Sequence, residues 1–394
     1  MTRADQPVGS TRAGGGAVIR GAPLKARRAL LWAVGGLCVS CALGPALARA
    51  NGSPFIAGFS PTTIATTQPP NLDQNPYGIV TVPSSVGSLH RGDVLVSNFN
   101  NAANTQGTGT TIVEIPPGGN SQSPGTATVF AQIDPSNLPG PCPGGVGLTT
   151  ALGVTSSGFV VVGSLPTTDS QLDTAGAGCL LVLNSQGKVV QTIAGGPING
   201  PWDMTLVDHG LFATLYVSNV ENGDVATSPK PVDKGTVVRM QLLTTPGIKA
   251  RSIRRGCDRE GLPRAGELHR GRARTDWSGA VAQRNAVRGR HPGQPDRAIP
   301  DASFRQSPIG GGGITVTSGG ALNGPLGMTL APNGDILTSN GGDGLVVETT
   351  PGGQQVANVD TGFSGGSLFG LTVPPSGDKV YLVDDGNNTL AVLH

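Results

Sequence analysis

Outside residues 1–50 and 249–297 the chain keeps three glutamates, Glu114, Glu221 and Glu348, and three histidines, His90, His209 and His394. No two of these histidines stand at metal-ligand spacing, which argues against zinc chemistry. Gly310-Gly311-Gly312-Gly313 is not followed by a Lys or by a helical pattern, so it reads as a flexible connector rather than a phosphate loop. Of five cysteines, Cys38 and Cys41 lie in an apolar run near the start, and Cys142, Cys179 and Cys257 lie beyond it. In an oxidising compartment a Cys142–Cys179 disulfide is expected; the alternative is two independent small buried side chains. Most of the remaining polar groups are Asn and Asp in turns. Their short side chains bond the local backbone and tolerate left-handed conformations.

The elements that position these groups are short strands. Gly 62 and Pro 32 make up close to a quarter of 394 residues, with 37% hydrophobic and 4% aromatic. Both residues are costly inside a helix, and the recurring Val, Ile and Leu clusters are too apolar for disorder. Self-similarity then sets the architecture. Asn323-Gly324-Pro325-Leu326-Gly327-Met328-Thr329 is followed by the strand Ile336–Asn340, a glycine turn, and Leu345–Glu348. The same phrase recurs from Leu368, from Asn199, from Asn75 and, more weakly, from Leu152.

Apolar runs of four to six residues bounded by Gly, Asn and Asp are strand signals. Units of about four strands arranged around an axis bury faces that none could hide alone. Five copies plus a sixth between Arg239 and Ile314 predict an all-β, six-bladed β-propeller. Thr389–Leu393 is expected to close the ring against material near Phe55-Ile56-Ala57, because an open ring leaves a strand edge free to pair with other chains. Trp202 and Tyr77 share one slot, filled elsewhere by Leu326 and Phe369. That slot reads as packing between blades, with ligand stacking as the alternative.

The phrases Leu-Tyr-Val-Ser-Asn (215–219), Tyr-Leu-Val-Asp-Asp (381–385) and Pro-Asn-Gly-Asp-Ile-Leu (332–337) resemble NHL-repeat propellers. They are also similar to secreted bacterial six-bladed propellers of the gluconolactonase type. The resemblance spans roughly residues 75–394 apart from 249–297. It implies a site in the loops at one end of the central channel, where lactone-hydrolase relatives hold a divalent metal with acidic and amide groups. Hard cations take several oxygen ligands, and the donors here would be Asp203, Asn219, Asn340, Asp343, Asp384 and Asp385. Calcium is then the one cofactor to consider; the competing reading is that each of these residues only shapes its own turn.

Residues 1–50 read as an export signal. Lys25, Arg27 and Arg28 precede an apolar run from Ala29 to Leu47, and Ala48-Arg49-Ala50 supplies the small-x-small cleavage pattern. The core of that run is too short for a membrane span, which needs about 20 apolar residues. A secreted or periplasmic protein with no transmembrane span is expected after cleavage near Ala50. Lipidation at Cys41 is the less well-matched alternative.

The net charge of +2 hides an asymmetry. Residues 1–50 hold seven basic and one acidic side chain, and 249–297 hold thirteen and five. Taking both from 27 basic and 25 acidic leaves 7 against 19, a net −12. Such a body does not suit nucleic acid, which needs a positive surface.

Residues 249–297 are Arg-rich and lack the repeat rhythm. One reading is a basic, nucleic-acid- or lipid-facing insertion. The other is translation out of frame: from Asp276, codons exist whose shifted frame spells GLEPLPNGTLYVADTPDNRI and then rejoins Ala298-Ile299-Pro300-Asp301. That text is a strand, an Asp turn and a strand, as the repeats require, and it predicts a disrupted fourth blade in the chain as printed.

The leading functional expectation is a monomeric binding scaffold for a protein, a glycan or a small molecule. A metal-dependent lactone or ester hydrolase is the alternative, and a structural cell-envelope protein a third reading.

Overall fold

A computed structural model describes residues 53–120, 122–170, 175–220, 236–245, 251–257, 266–270, 277–281, 295–300, 302–303 and 313–394. Residues 1–50, Glu221 and Gly310–Gly312 lie outside these, as does much of 249–297. Among the described residues the strands form six four-stranded sheets, and no helix is long and apolar enough to cross a membrane.

Strand β1 (Pro61–Thr66) belongs to the last sheet. Blade I is β2 (Gln74–Thr81), β3 (Val94–Asn100), β4 (Thr111–Ile115) and β5 (Thr128–Gln132). Blade II is β6 (Leu148–Val154), β7 (Val160–Ser164), β8 (Cys179–Leu183) and β9 (Val189–Ala194). Blade III is β10 (Pro201–Asp208), β11 (Phe212–Asn219), β12 (Thr236–Leu243) and β13 (Arg251–Cys257). Blade IV holds β14 (Gly266–Arg270), β15 (Trp277–Val281), β16 (Asp296–Pro300) and β17 (Ile314–Thr317). Blade V is β18 (Pro325–Leu330), β19 (Ile336–Asn340), β20 (Leu345–Thr349) and β21 (Gln355–Asp360). Blade VI is β22 (Leu368–Thr372), β23 (Val380–Asp384) and β24 (Thr389–Leu393), completed by β1.

Strands β2, β6, β10, β15, β18 and β22 pack on one another in a closed circuit. They are the inner strands, and the chain is a β-propeller. Apolar residues on the sheet faces meet between blades: Val161 of blade II packs with Leu215 and Val217 of blade III, and Leu337 and Val346 of blade V with Leu371 and Leu382 of blade VI. Because sheet faces alternate, each seam buries one face of each neighbour.

Ring closure and the disrupted fourth blade follow the expectations. Closure uses β1 against β24, pairing Pro61 with Leu393 and Thr66 with Thr389, a few residues beyond Phe55-Ile56-Ala57. The earlier segment is held elsewhere: Phe55 and Ile56 donate their backbone N–H groups to Glu348 of blade V at 2.7 and 2.9 Å. In the fourth blade the order is β15-β14-β16-β17, with β14 and β16 parallel. The other sheets are antiparallel throughout and keep chain order apart from β1 at the rim of blade VI. The Arg-rich text does not build the repeat its neighbours build.

Cys142 and Cys179 are joined as a disulfide with their Cα atoms 5.3 Å apart. The bond ties the loop before blade II to its third strand.

Candidate functional site

Inner strand β6 shifts its pairing between Leu148 and Leu152, and four others carry an irregularity at one place. The pairing shifts between Pro76 and Gly78, Pro201 and Asp203, Pro325 and Met328, and Leu368 and Leu371. A bulge re-aims a side chain, and the residues at these shifts are Tyr77, Trp202, Leu326 and Phe369. All four are buried in one cluster. The Tyr77 ring stacks on Phe369 at 3.9 Å and on Phe99 at 4.7 Å, and meets Trp202 edge-on at 6.0 Å. Blades I and III are not neighbours in the circuit, so a contact between Tyr77 and Trp202 passes across the axis. The channel is therefore sealed by aromatic rings at the end where the inner strands begin.

Beneath this plug lies a cavity of about 200 Å³. Its walls are Ile79, Leu152, Met204, Met328 and Leu371, with Thr150, Thr205, Thr329 and Thr372 among them. One carboxyl faces it, that of Asp203. Met204 donates its backbone N–H to Asp203 Oδ1 at 2.8 Å. Burial pushes Asp203 up to about 7, opposed only by that hydrogen bond.

Asp203 stands in a glycine slot. Gly327 and Gly370 fill it in blades V and VI, where a Cβ would run into the carbonyl oxygens of Phe369 and Tyr77 on the next inner strand. Serine from the second strand completes the seam. Ser339 Oγ accepts from Gly327 N–H at 2.7 Å and donates to Phe369 O of the next blade at 2.6 Å. Ser97 Oγ likewise accepts from Gly78 N–H and donates to Thr149 O. Ser218 accepts from Asp203 N–H but donates back to Asp203 O, within its own blade. The blade it would otherwise reach is the irregular fourth.

Most of the remaining donors proposed from sequence bond the framework, but Asn340 Oδ1 is buried without a partner. Asn219 Oδ1 accepts from the N–H groups of Asn199 and Gly200, and Asn340 Nδ2 donates to Ala321 O at 2.6 Å. At the matching position Asn98 Nδ2 donates to Thr67 O. These amides hold the segment that delivers the chain to its inner strand. Asp343 accepts from Asn323 Nδ2 and Leu345 N–H, and Asp384 from Asn387, all within turns.

Asp385 Oδ1 is likewise buried without a partner. Burial first, then the neighbouring Asp384, pushes it up to about 7, while Asn75 opposes this. Asn75 also lies against the Tyr77 hydroxyl, which burial and Asp385 together hold well above its ordinary value. Asp203 and Asp385 do not influence each other.

Three further features bear on the site. Asn75, Asn199 and Asn323 open three inner strands at one slot, a repeat visible by alignment alone. Gly362-Phe363-Ser364-Gly365-Gly366 has nucleophile spacing, yet it lies in the turn before β22 and no helix follows, so the elbow is missing. His90, Asp93 and Glu114 bring one ligand atom each within 4.8 Å of one another. There, Glu114 Oε1 accepts His90 N–H at 2.7 Å and Oε2 lies 3.4 Å from His90 Nδ1. Glu348 sits at the same strand position in blade V and clamps Phe55 and Ile56 in the same manner. Both glutamates are loop clamps.

No family model matches the chain, and no curated protein matches it. Solved structures do. A gluconolactonase of Xanthomonas campestris is 11% identical, with 88% of this chain and 98% of that one covered and a TM-score of 0.40. Virginiamycin B lyase from Staphylococcus aureus is 12% identical over 85% and 99%, TM-score 0.41. The α-L-arabinofuranosidase of Fusarium graminearum, solved with arabinobiose, is 14% identical over 85% and 98%, TM-score 0.47. These three carry different activities. At such distances the likeness transfers no chemistry to this chain.

Proposed function

We propose that this chain is an exported β-propeller that acts as a binding scaffold, with residues 249–297 an out-of-frame copy of its fourth blade. The observation that carries the binding reading is the axis itself: rings close one end, and a cavity with a single carboxyl lies below. Most of the amide and acidic donors that a lactone or ester hydrolase would use at the loop end hold segments and turns, with Asn340 Oδ1 and Asp385 Oδ1 the oxygens left unpartnered. A Cys142–Cys179 bond supports an oxidising destination, and a net acidic body supports partners other than nucleic acid.

The test is direct. Protein purified from the periplasm or culture medium is analysed for calcium and assayed against lactones and esters with and without a chelator. The expected result is a chain starting near residue 51, without stoichiometric calcium and without turnover. Chelator-sensitive hydrolysis would replace this reading with the hydrolase, and cytoplasmic retention with residues 1–50 intact would remove the export step.

A further inference from the structure

The axial cavity invites a question the fold alone does not answer: what would make a carboxyl tolerable there? The strands that form the walls supply Ile79, Leu152, Met204, Met328 and Leu371, and threonines as the other polar side chains apart from Tyr77. Among the described residues no Lys, Arg or His lines the cavity. Tyr77 is the second titratable group at its wall, and its hydroxyl stays neutral across the physiological range. Asp203 Oδ1 has one donor, Met204 N–H, and among the described residues Oδ2 has none. Asp203 is part-buried in the channel wall, and a carboxyl held there without a cationic partner is disfavoured when ionised. Yet this blade carries Asp where Gly78, Gly327 and Gly370 stand in others, so the charge is an addition to the repeat rather than part of it.

We propose that the cavity below the aromatic plug binds a small organic cation, an alkylammonium with a short apolar tail, using Asp203 as its counter-ion. This rests on the binding-scaffold reading and names its ligand class. The ammonium donates to Asp203 Oδ2, and the threonine hydroxyls accept further N–H groups. The tail lies on Leu152, Leu371 and the two methionines, whose unbranched thioether chains repack readily around different shapes. A cavity of about 200 Å³ takes a ligand of a few carbons. Anions are disfavoured by Asp203, and neutral analogues leave the carboxylate unpaired.

The experiment titrates the purified full-length chain with n-butylammonium, n-butanol and butyrate, read by calorimetry and by the thermal midpoint. Butylammonium is expected to bind about tenfold or more tighter than butanol, with butyrate not binding, and Asp203→Asn is expected to abolish that preference. Leu371→Phe, which fills the cavity from blade VI and leaves the carboxyl in place, is expected to weaken all binding. It keeps the test open if Asp203→Asn fails to fold. Equal affinity for butylammonium and butanol, or full retention of cation binding in Asp203→Asn, overturns the proposal. No binding of any probe, with no lactone or ester turnover, also overturns the cation site while the scaffold reading stands. Chelator-sensitive turnover would instead bring down the scaffold reading, with cation preference still readable on its own.

Discussion

Blades V and IV are neighbours built from different kinds of text. In blade V, β18 to β21 pair antiparallel in chain order, and Ser339 bonds across to Phe369 of the next inner strand at 2.6 Å. In blade IV, β14 and β16 run parallel and the first two strands exchange places. The seams of blade IV are held by other contacts: Tyr216 OH with Ser303 Oγ at 2.9 Å, Arg239 donating to Ala302 O, and Thr338 Oγ1 donating to Asp296 Oδ2 at 3.1 Å. Asp296 is buried with its other oxygen unpaired, and that burial pushes it up to about 7. A repeat fold needs each copy to satisfy its neighbours' open valences as well as its own. Where the text changes, carbonyls and hydroxyls turn inward and a carboxyl is trapped.

The comparison can be broken most forcefully by restoring the frame. Replacing the printed text from Asp276 to Arg297 with GLEPLPNGTLYVADTPDNRI is expected to raise soluble yield and to raise the melting temperature by about 5 °C or more, equivalent to a few kcal/mol in a domain of this size. An unchanged melting temperature would mean that blade IV is not the weak copy. Next in size, Phe369→Ala removes a ring from the axial plug and leaves a cavity among Tyr77, Phe99 and Trp202. A loss of about 3–5 kcal/mol in denaturant unfolding is expected. A loss below about 1 kcal/mol would show that the rings do not carry the axis.

A smaller pair of variants sharpens the contrast between seams. Ser339→Ala strands both Gly327 N–H and Phe369 O in buried surroundings, for a cost of about 1–3 kcal/mol. Ser218→Ala breaks bonds only within blade III, so its cost is expected to be lower. Equal costs would erase the distinction.

The smallest effect concerns pH. Burial raises the folded-state pKa of Asp203 from 3.8 to about 7, so between those values the folded protein holds a proton that the unfolded chain has released. Stability therefore falls as pH rises from about 4 to 7 and levels off above. Asp203→Asn is expected to flatten this slope by an amount on the order of 1 kcal/mol. Asp296 and Asp385 act in the same direction, so a residual slope remains.

The fold was legible because its signals are local. Strand runs, glycine turns and the repeated phrase before Met204, Met328 and Leu371 all lie within a few residues of one another. Ring closure was placed a few residues early. Phe55 and Ile56 look as apolar as Ile64 and Ala65, and only Glu348, nearly three hundred positions away, takes up their N–H groups. The site was harder for the same reason. Asn219 and Asn340 carry oxygens whether they bind a cation or a connecting segment, and their partners lie 19 or 20 positions back. Asp203 was readable as the exception in a column of glycines. Its role was not, since the cavity it faces is made by five separate strands.

The most direct test of the account is an experimental electron-density map along the propeller axis. It should show six sheets closed by Pro61–Thr66 against Thr389–Leu393, with Tyr77, Trp202 and Phe369 meeting on the axis above a cavity that Asp203 faces. Rings turned aside around an oxygen-ligated ion at that end, or a circuit left open at β1 and β24, would contradict it.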